Sequence, residues 1–322
     1  MKKTLFLLLA LPGMVHAEAQ TATAVSGTPF YAATTTATGD VDVNVTAGTT
    51  GSTWAAAFGG TPSQTLTGDV SLSFSGEYTG SATVFGAVNT GSVTGDVTLV
   101  FDAENASYAS FTDVGNANNQ SVSLVGAYQA NINGSFNAVI NKGVFQYDIL
   151  GGVHTGSNTI GSTHITINGG TIADDVYGGG KTGAITGNTA ITITNLAALS
   201  SHTATNIISA GGKGGTIGGD SSVTFSGVNG TYAGTVSGGT NVEGASTLVV
   251  DNNSTLVLGN VTDFDSFTVE EGSTLTVNGN ITTDATLSIS YDAETVAKKK
   301  DNGLGVGTLV GLVTGEGTFN LG

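Results

Sequence analysis

A chain of 322 residues with 24 acidic side chains, eight lysines and no arginine carries a net charge of −16. Arginine supplies the bidentate contacts that phosphate and carboxylate ligands favour, and an acidic surface repels phosphate backbones, so nucleic acid is excluded as a partner. With no cysteine in the chain, disulfides contribute nothing, and stability has to come from paired backbone and stacked apolar side chains.

The chain opens Met1-Lys2-Lys3, runs through the apolar stretch 5–11 and reaches Val15-His16-Ala17-Glu18-Ala19. A basic start, a short apolar core and a small-x-small site are the three parts of a secretory signal peptide. Residues 1–17 are therefore expected to be that signal, cut after Ala17 or, alternatively, after Ala19. The apolar stretch falls short of the ~20 residues a membrane-crossing helix needs. Residues 18–322 are expected to form one continuous mature region, exported by a Sec-type route to the extracellular space or outer cell surface. With 50 glycines and three prolines, and with Thr, Ser, Asn, Val and Ile abundant, the composition favours many short strands joined by tight turns.

One unit recurs six times: an apolar residue, a glycine-centred turn, a polar spacer, a second glycine and an alternating strand. It runs from Phe58-Gly59-Gly60 to Gly68-Asp69-Val70-Ser71-Leu72-Ser73-Phe74, then from Phe85-Gly86-Ala87 to Gly95-Asp96-Val97-Thr98-Leu99. Later copies begin at Val125-Gly126-Ala127, Leu150-Gly151-Gly152, Tyr177-Gly178-Gly179 and Ala210-Gly211-Gly212. Their strands centre on Phe136, Ile165-Thr166-Ile167, Ile191-Thr192-Ile193 and Val223-Thr224-Phe225. The copies are spaced about 25 to 40 residues apart, as expected of coils that tolerate loop insertions without losing their stack. The first apolar strand residue lies two positions after the second glycine in the early copies and four in the late ones, and an even offset keeps the same pleat face inward. The glycines are expected at the coil corners, where positive φ costs them nothing. Asp69, Asp96, Asn188 and Asp220 beside them read as turn formers that bond backbone nearby in sequence.

Near residue 240 the unit shortens to strand-turn-strand pieces such as Ser246-Thr247-Leu248-Val249-Val250 and Ser254-Thr255-Leu256-Val257-Leu258, recurring about every 20 residues. Through Phe267-Thr268-Val269-Glu270-Glu271-Gly272-Ser273-Thr274-Leu275-Thr276-Val277 and Thr314-Gly315-Glu316-Gly317-Thr318-Phe319, the chain resembles the β-helical passenger regions of bacterial autotransporters and related surface adhesins. The likeness is one of pattern and covers most of the mature chain. It implies an all-β fold, a right-handed parallel β-helix with glycine-rich corners and loop insertions, displayed outside the cell as a structural or adhesive protein. A surface glycan or protein of a host or neighbouring cell would be its partner. The C-terminal membrane barrel usual in such proteins, with its many amphipathic strands of ~10 residues, is not recognisable here. An incomplete passenger, or secretion by another route, is expected.

No motif marks an enzyme or a cofactor site. His154 and His164 share a unit and could approach Asp174 or Asp175, yet they lack the spacing of a metal site and read as surface histidines. Asp174-Asp175 invites comparison with the paired carboxylates of carbohydrate-cleaving β-helices. Neighbours on a strand point to opposite faces, so only one could face a given groove, its partner coming from an adjacent coil; a solvated turn is the expectation. Gly178-Gly179-Gly180-Lys181 and Gly211-Gly212-Lys213-Gly214-Gly215 lack phosphate-loop spacing and fit coil geometry. Gly218-Gly219-Asp220 is only a fragment of a calcium-binding nonapeptide. Lys298-Lys299-Lys300 reads as a solvated insertion, and the insertions 102–121 and 197–206 are where binding specificity would reside. A polysaccharide-acting hydrolase or lyase is the alternative to adhesion.

Overall fold

The computed structural model describes residues 20–24, 30–33, 37–49, 53–57, 64–79, 83–88, 91–108, 122–270, 272–282, 287–290, 312–314 and 319–321. The signal segment with Ala17, the first repeat's Phe58-Gly59-Gly60, most of the 102–121 insertion and Lys298-Lys299-Lys300 lie outside these residues.

The chain winds as a parallel β-helix. Among the described residues its strands form a 17-stranded, a 12-stranded and a 3-stranded sheet, and the strand-to-strand ladders are parallel, from Gln20–Ala24 beside Val41–Thr49 to Leu287–Ser290 beside Phe319–Leu321. One representative coil runs along the largest sheet through Asn131–Ile140, turns through Val144–Phe145 in the short third sheet, and crosses Asp148–Val153 in the second. The next coil repeats this with Thr159–Ile167, Thr171–Ile172 and Val176–Tyr177. Ladder partners lie 27 residues apart here, 39 across the coil that carries the 102–121 insertion, and 19 beyond residue 240. The unequal repeat intervals of the sequence are thus unequal coil lengths.

Alternation explains the core. Leu72, Leu99, Ala138, Ile165, Ile191, Val223, Leu248 and Phe267 stand in one register row, each at most 1% exposed. Burying each large member of such a row contributes roughly 1.5–3 kcal/mol. Beside it, Phe74 stacks on Phe101 at 5.2 Å, and Tyr108 on Phe145 at 4.7 Å. The even offset places Thr163, Thr189 and Ser221 in the same inward row as Val70, Val97 and Phe136. There the buried hydroxyls reach across the coil: Thr163 donates to the Gly178 carbonyl at 2.6 Å and Ser221 to the Gly238 carbonyl at 2.8 Å.

Two expectations about the turns are corrected. The repeat glycines Gly86, Gly126 and Gly151 sit inside strands of the second sheet, not at corners. Their role is close approach: a Cβ on Gly126 would strike the Gly151 carbonyl and come within 3.0 Å of Ile160 Cδ1. Of the second glycines it is Gly68, at φ +133°, that takes the left-handed conformation expected of a corner. The corner acids, for their part, bond the next coil and not nearby backbone. The Asp96 amide donates to Asp69 Oδ1 at 2.8 Å, the Ser135 amide to Asp96 Oδ1 at 2.7 Å, and the Ala245 amide to Asp220 Oδ1 at 2.9 Å. Stacking places equivalent corners on top of one another, so an acceptor there meets the amide of its counterpart. Replacing Asp96 with alanine is expected to cost about 1 kcal/mol, because the Ser135 amide is exposed enough to be rehydrated; urea unfolding would read the loss, and an unchanged midpoint would refute this role for the ladder.

The opposite face of the largest sheet is mostly polar, with Val100, Val139 and Val249 half-buried among its Ser and Thr side chains. From coil to coil one outward row reads Asp42, Ser71, Thr98, Asn137, His164, Ala190, Ser222, Thr247 and Ser266. Val144 is the single exposed large apolar side chain among the described residues.

A candidate acidic site at the edge of the second sheet

Three successive coils bring their polar residues to one corner. Asp148 starts a strand of the second sheet, Asp174 and Asp175 form the turn between Thr171–Ile172 and Val176–Tyr177, and Lys213 projects from the glycine-rich turn that follows Ile207–Ser209. Pairing of Ile149 with Val176 stacks the two acidic turns. Oxygens of Asp148, Asp174 and Asp175 all lie within 4.8 Å of one another. Asp174 and Asp175 therefore converge, contrary to the opposite-face expectation, because they occupy a turn and not an extended strand. The partner from an adjacent coil is Asp148.

Asp148 and Asp175 find partners within the fold. Lys213 Nζ lies 2.7 Å from Asp148 Oδ2, with Asp148 4% exposed, and stands 5.3 Å from the centre of the Tyr177 ring. Tyr177 donates its hydroxyl to Asp175 Oδ2 at 3.1 Å, and the Ile207 amide donates to Asp175 Oδ1 at 2.8 Å. Burial pushes the Asp148 carboxyl above its ordinary range; its hydrogen bond and ion pair with Lys213 oppose this, while Asp174 and Asp175 add to it. Burial, then the nearby Asp175, likewise raises the Tyr177 phenol. Three carboxylates this close could share one bound cation, and the Lys213 ammonium supplies one positive charge, paired with Asp148.

The glycine clusters hold Lys213 in place. Gly179 donates its amide to the Gly211 carbonyl at 3.0 Å, and Gly215 donates to the Gly180 carbonyl at 3.1 Å. They act as coil geometry, as expected, with one consequence not expected: Lys213 reaches back across two coils.

The histidines depart from their reading as surface residues. His164 is exposed, but His154 and His202 are 2% and 9% exposed. His154 packs against Tyr128 at 5.8 Å with Nδ1 3.0 Å from Thr155 Oγ1. The histidine beside the acidic turn is His202, not His154 or His164. The insertion 197–206 folds back on the coil body: its short 3-10 turn Leu196–Leu199 buries Ala198 and Leu199, and Ser201 donates to the Ile172 carbonyl at 2.9 Å. His202 Nδ1 then lies 3.1 Å from the Tyr232 hydroxyl. Burial lowers its pKa, against the pull of Asp175 and Asp174.

Asp148 and Lys213 were not marked as site residues by any motif. Asp148 did carry a signal, being a charge at the start of a repeat strand where the neighbouring coil has Val122. Among the described residues, no helix is long and apolar enough to cross a membrane. Compared with known proteins, the chain matches no family model, no curated protein and no solved structure.

Proposed function

We propose that this chain is an exported structural and adhesive β-helix of the cell surface or secreted space, similar in kind to an autotransporter passenger, and not an enzyme. The observation that carries the reading is the outward row of Asp, Ser, Thr, Asn and His side chains, interrupted by Ala190, along a parallel stack. Such a row offers many weak polar contacts along its length, and it lacks the large aromatic anchors that dominate tight protein interfaces. The N-terminal signal pattern supports export, and the acidic surface favours uncharged partners. A surface glycan or protein of a host or neighbouring cell is the partner class.

A second reading, a polysaccharide-acting hydrolase or lyase, draws on the three carboxylates at Asp148, Asp174 and Asp175. A buried acid of raised pKa beside a second carboxyl group is the arrangement that general-acid cleavage of glycosides needs. Against it stands the ion pair to Lys213, which ties up the buried acid. One experiment separates the two: the mature chain is applied to a glycan and extracellular-matrix array while product release is followed from the same glycans. Saturable binding without release is the expected result. Release that disappears in Asp175→Asn would establish the enzyme, and absence of both binding and release would sink both readings.

A further inference from the structure

The outward row of the largest sheet that runs through Asp42, Ser71, Thr98, Asn137, His164, Ala190, Ser222, Thr247 and Ser266 is polar at every position except one. Ala190 stands between His164 and Ser222, and its methyl leaves a gap where every neighbouring coil carries a polar side chain. The gap opens as a surface cavity of about 210 Å³, bounded by His164, Ser222 and Thr247 along the row and by Asn188 and Asp220 at the corner. Strands in a sheet lie about 4.8 Å apart, so the side chains flanking the missing one are separated by two such steps. The volume falls below the ~300 Å³ at which pockets for drug-sized ligands begin. It suits a single ring.

The lining selects the ligand's chemistry. His164 Nδ1 lies 3.2 Å from Asn137 Oδ1; with that amide oxygen accepting from Nδ1, the Nε2 of a neutral imidazole is left as an acceptor. Asp220 spends Oδ1 on the Ala245 amide at 2.9 Å and brings a carboxylate to the edge of the cavity. Ser222 adds a hydroxyl, and the Ala190 methyl makes the floor apolar. Two acceptors beside an apolar floor suit a ring that donates hydroxyl hydrogens from its rim and lays a C–H face down. A metal ion would need several ligand atoms close together, and among the described residues only Asp148, Asp174 and Asp175 are gathered that way. Uronic or sialic acids would meet the Asp220 carboxylate and a chain of net charge −16.

We propose that the gap at Ala190 is a binding subsite for one neutral pyranose unit of a surface glycan. This rests on the adhesive reading above and gives it a location and a ligand class. A ring of that size, held by a few hydrogen bonds, binds in about the millimolar range, so useful attachment comes from many copies acting together.

Ala190→Thr restores the polar row, and threonine suits an exposed strand position, so the variant should fold as the parent does. Saturation-transfer NMR on the mature chain, with the methyl glycosides of glucose, galactose and mannose and with glucuronate at millimolar concentration, gives the readout. At least one neutral glycoside should bind saturably and glucuronate should not. Binding should vanish in Ala190→Thr and weaken about tenfold in Asp220→Asn. Failure of all three neutral glycosides, equal binding by glucuronate, or unchanged binding in Ala190→Thr would each overturn the subsite. If the parent and Ala190→Thr bind the glycan array equally, the subsite falls while adhesion stands; if the parent binds a neutral glycoside but no array surface, adhesion falls while the subsite stands.

Discussion

Gly126→Ala should destabilise the chain by at least about 2 kcal/mol, although glycine-to-alanine changes in extended backbone ordinarily stabilise by ~0.4–1 kcal/mol through the unfolded state. Geometry decides between these opposing effects. The added Cβ would overlap the Gly151 carbonyl of the next coil, and Ile160 closes the remaining space. A carbonyl held in a parallel ladder cannot move aside like the end of a flexible side chain. The Val122–Tyr128 and Asp148–Val153 strands would have to separate, on top of the ~1–3 kcal/mol that overpacking costs in an ordinary core. In a solenoid each coil leans on its neighbours, so the damage should spread from this interface. The urea midpoint should fall with little change in slope, and amides of the two strands should lose hydrogen-exchange protection before those of the Ser221–Ser226 coil. Ala190→Thr on the outer face provides the control, expected within about 0.5 kcal/mol of the parent. A Gly126→Ala chain as stable as that control would refute the close-approach role.

The inward rows of the fold are legible because side chains alternate with a period of two and the offset between early and late copies is even. Ile165, Ile191 and Val223 are found in one row for that reason. The role of the glycines is not legible in the same way. A glycine at a corner and a glycine under a neighbouring carbonyl leave the same mark in the sequence, and only coil stacking distinguishes Gly126 from Gly68. The corner acids read locally as turn formers, but their partners belong to the next coil, and a local rule cannot reach that far. His202 is buried because an insertion folds back onto Ile172 and Tyr232, and insertions carry no periodicity from which to read their packing. The acidic corner lies between these cases. Taking a repeat interval as a coil length puts Asp148 against Asp175, since Ile149 pairs with Val176. Lys213 arrives from 65 residues away, by way of a turn whose length differs from coil to coil.

That long-range pair leads to the other large expected effect. Lys213→Ala leaves the Asp148 carboxylate buried without its partner, and breaking a buried pair from one side costs about 3–5 kcal/mol. Lys213 is itself 25% exposed at its side chain, so the lower end of that range, about 3 kcal/mol at neutral pH, is the expectation. The size of the loss should depend on pH in a fixed direction. The Asp148 pKa already lies above its ordinary value of 3.8, with Lys213 as the influence holding it down; without Lys213 it rises further. The folded state then holds its proton more tightly than the unfolded chain does. The stability linked to that proton is fully present below the unfolded pKa and is lost as pH rises through the folded one. The Lys213→Ala deficit should therefore shrink as the solution is acidified through the raised Asp148 pKa and should reach its full size at neutral pH. Replacing both groups, Asp148→Leu with Lys213→Met, removes the stranded charge and should recover most of the loss. Urea unfolding of the parent, the single variant and the double variant across this pH range would test the argument. A deficit that does not change with pH, or a double variant as unstable as Lys213→Ala, would show that Lys213 acts through packing and not through its charge.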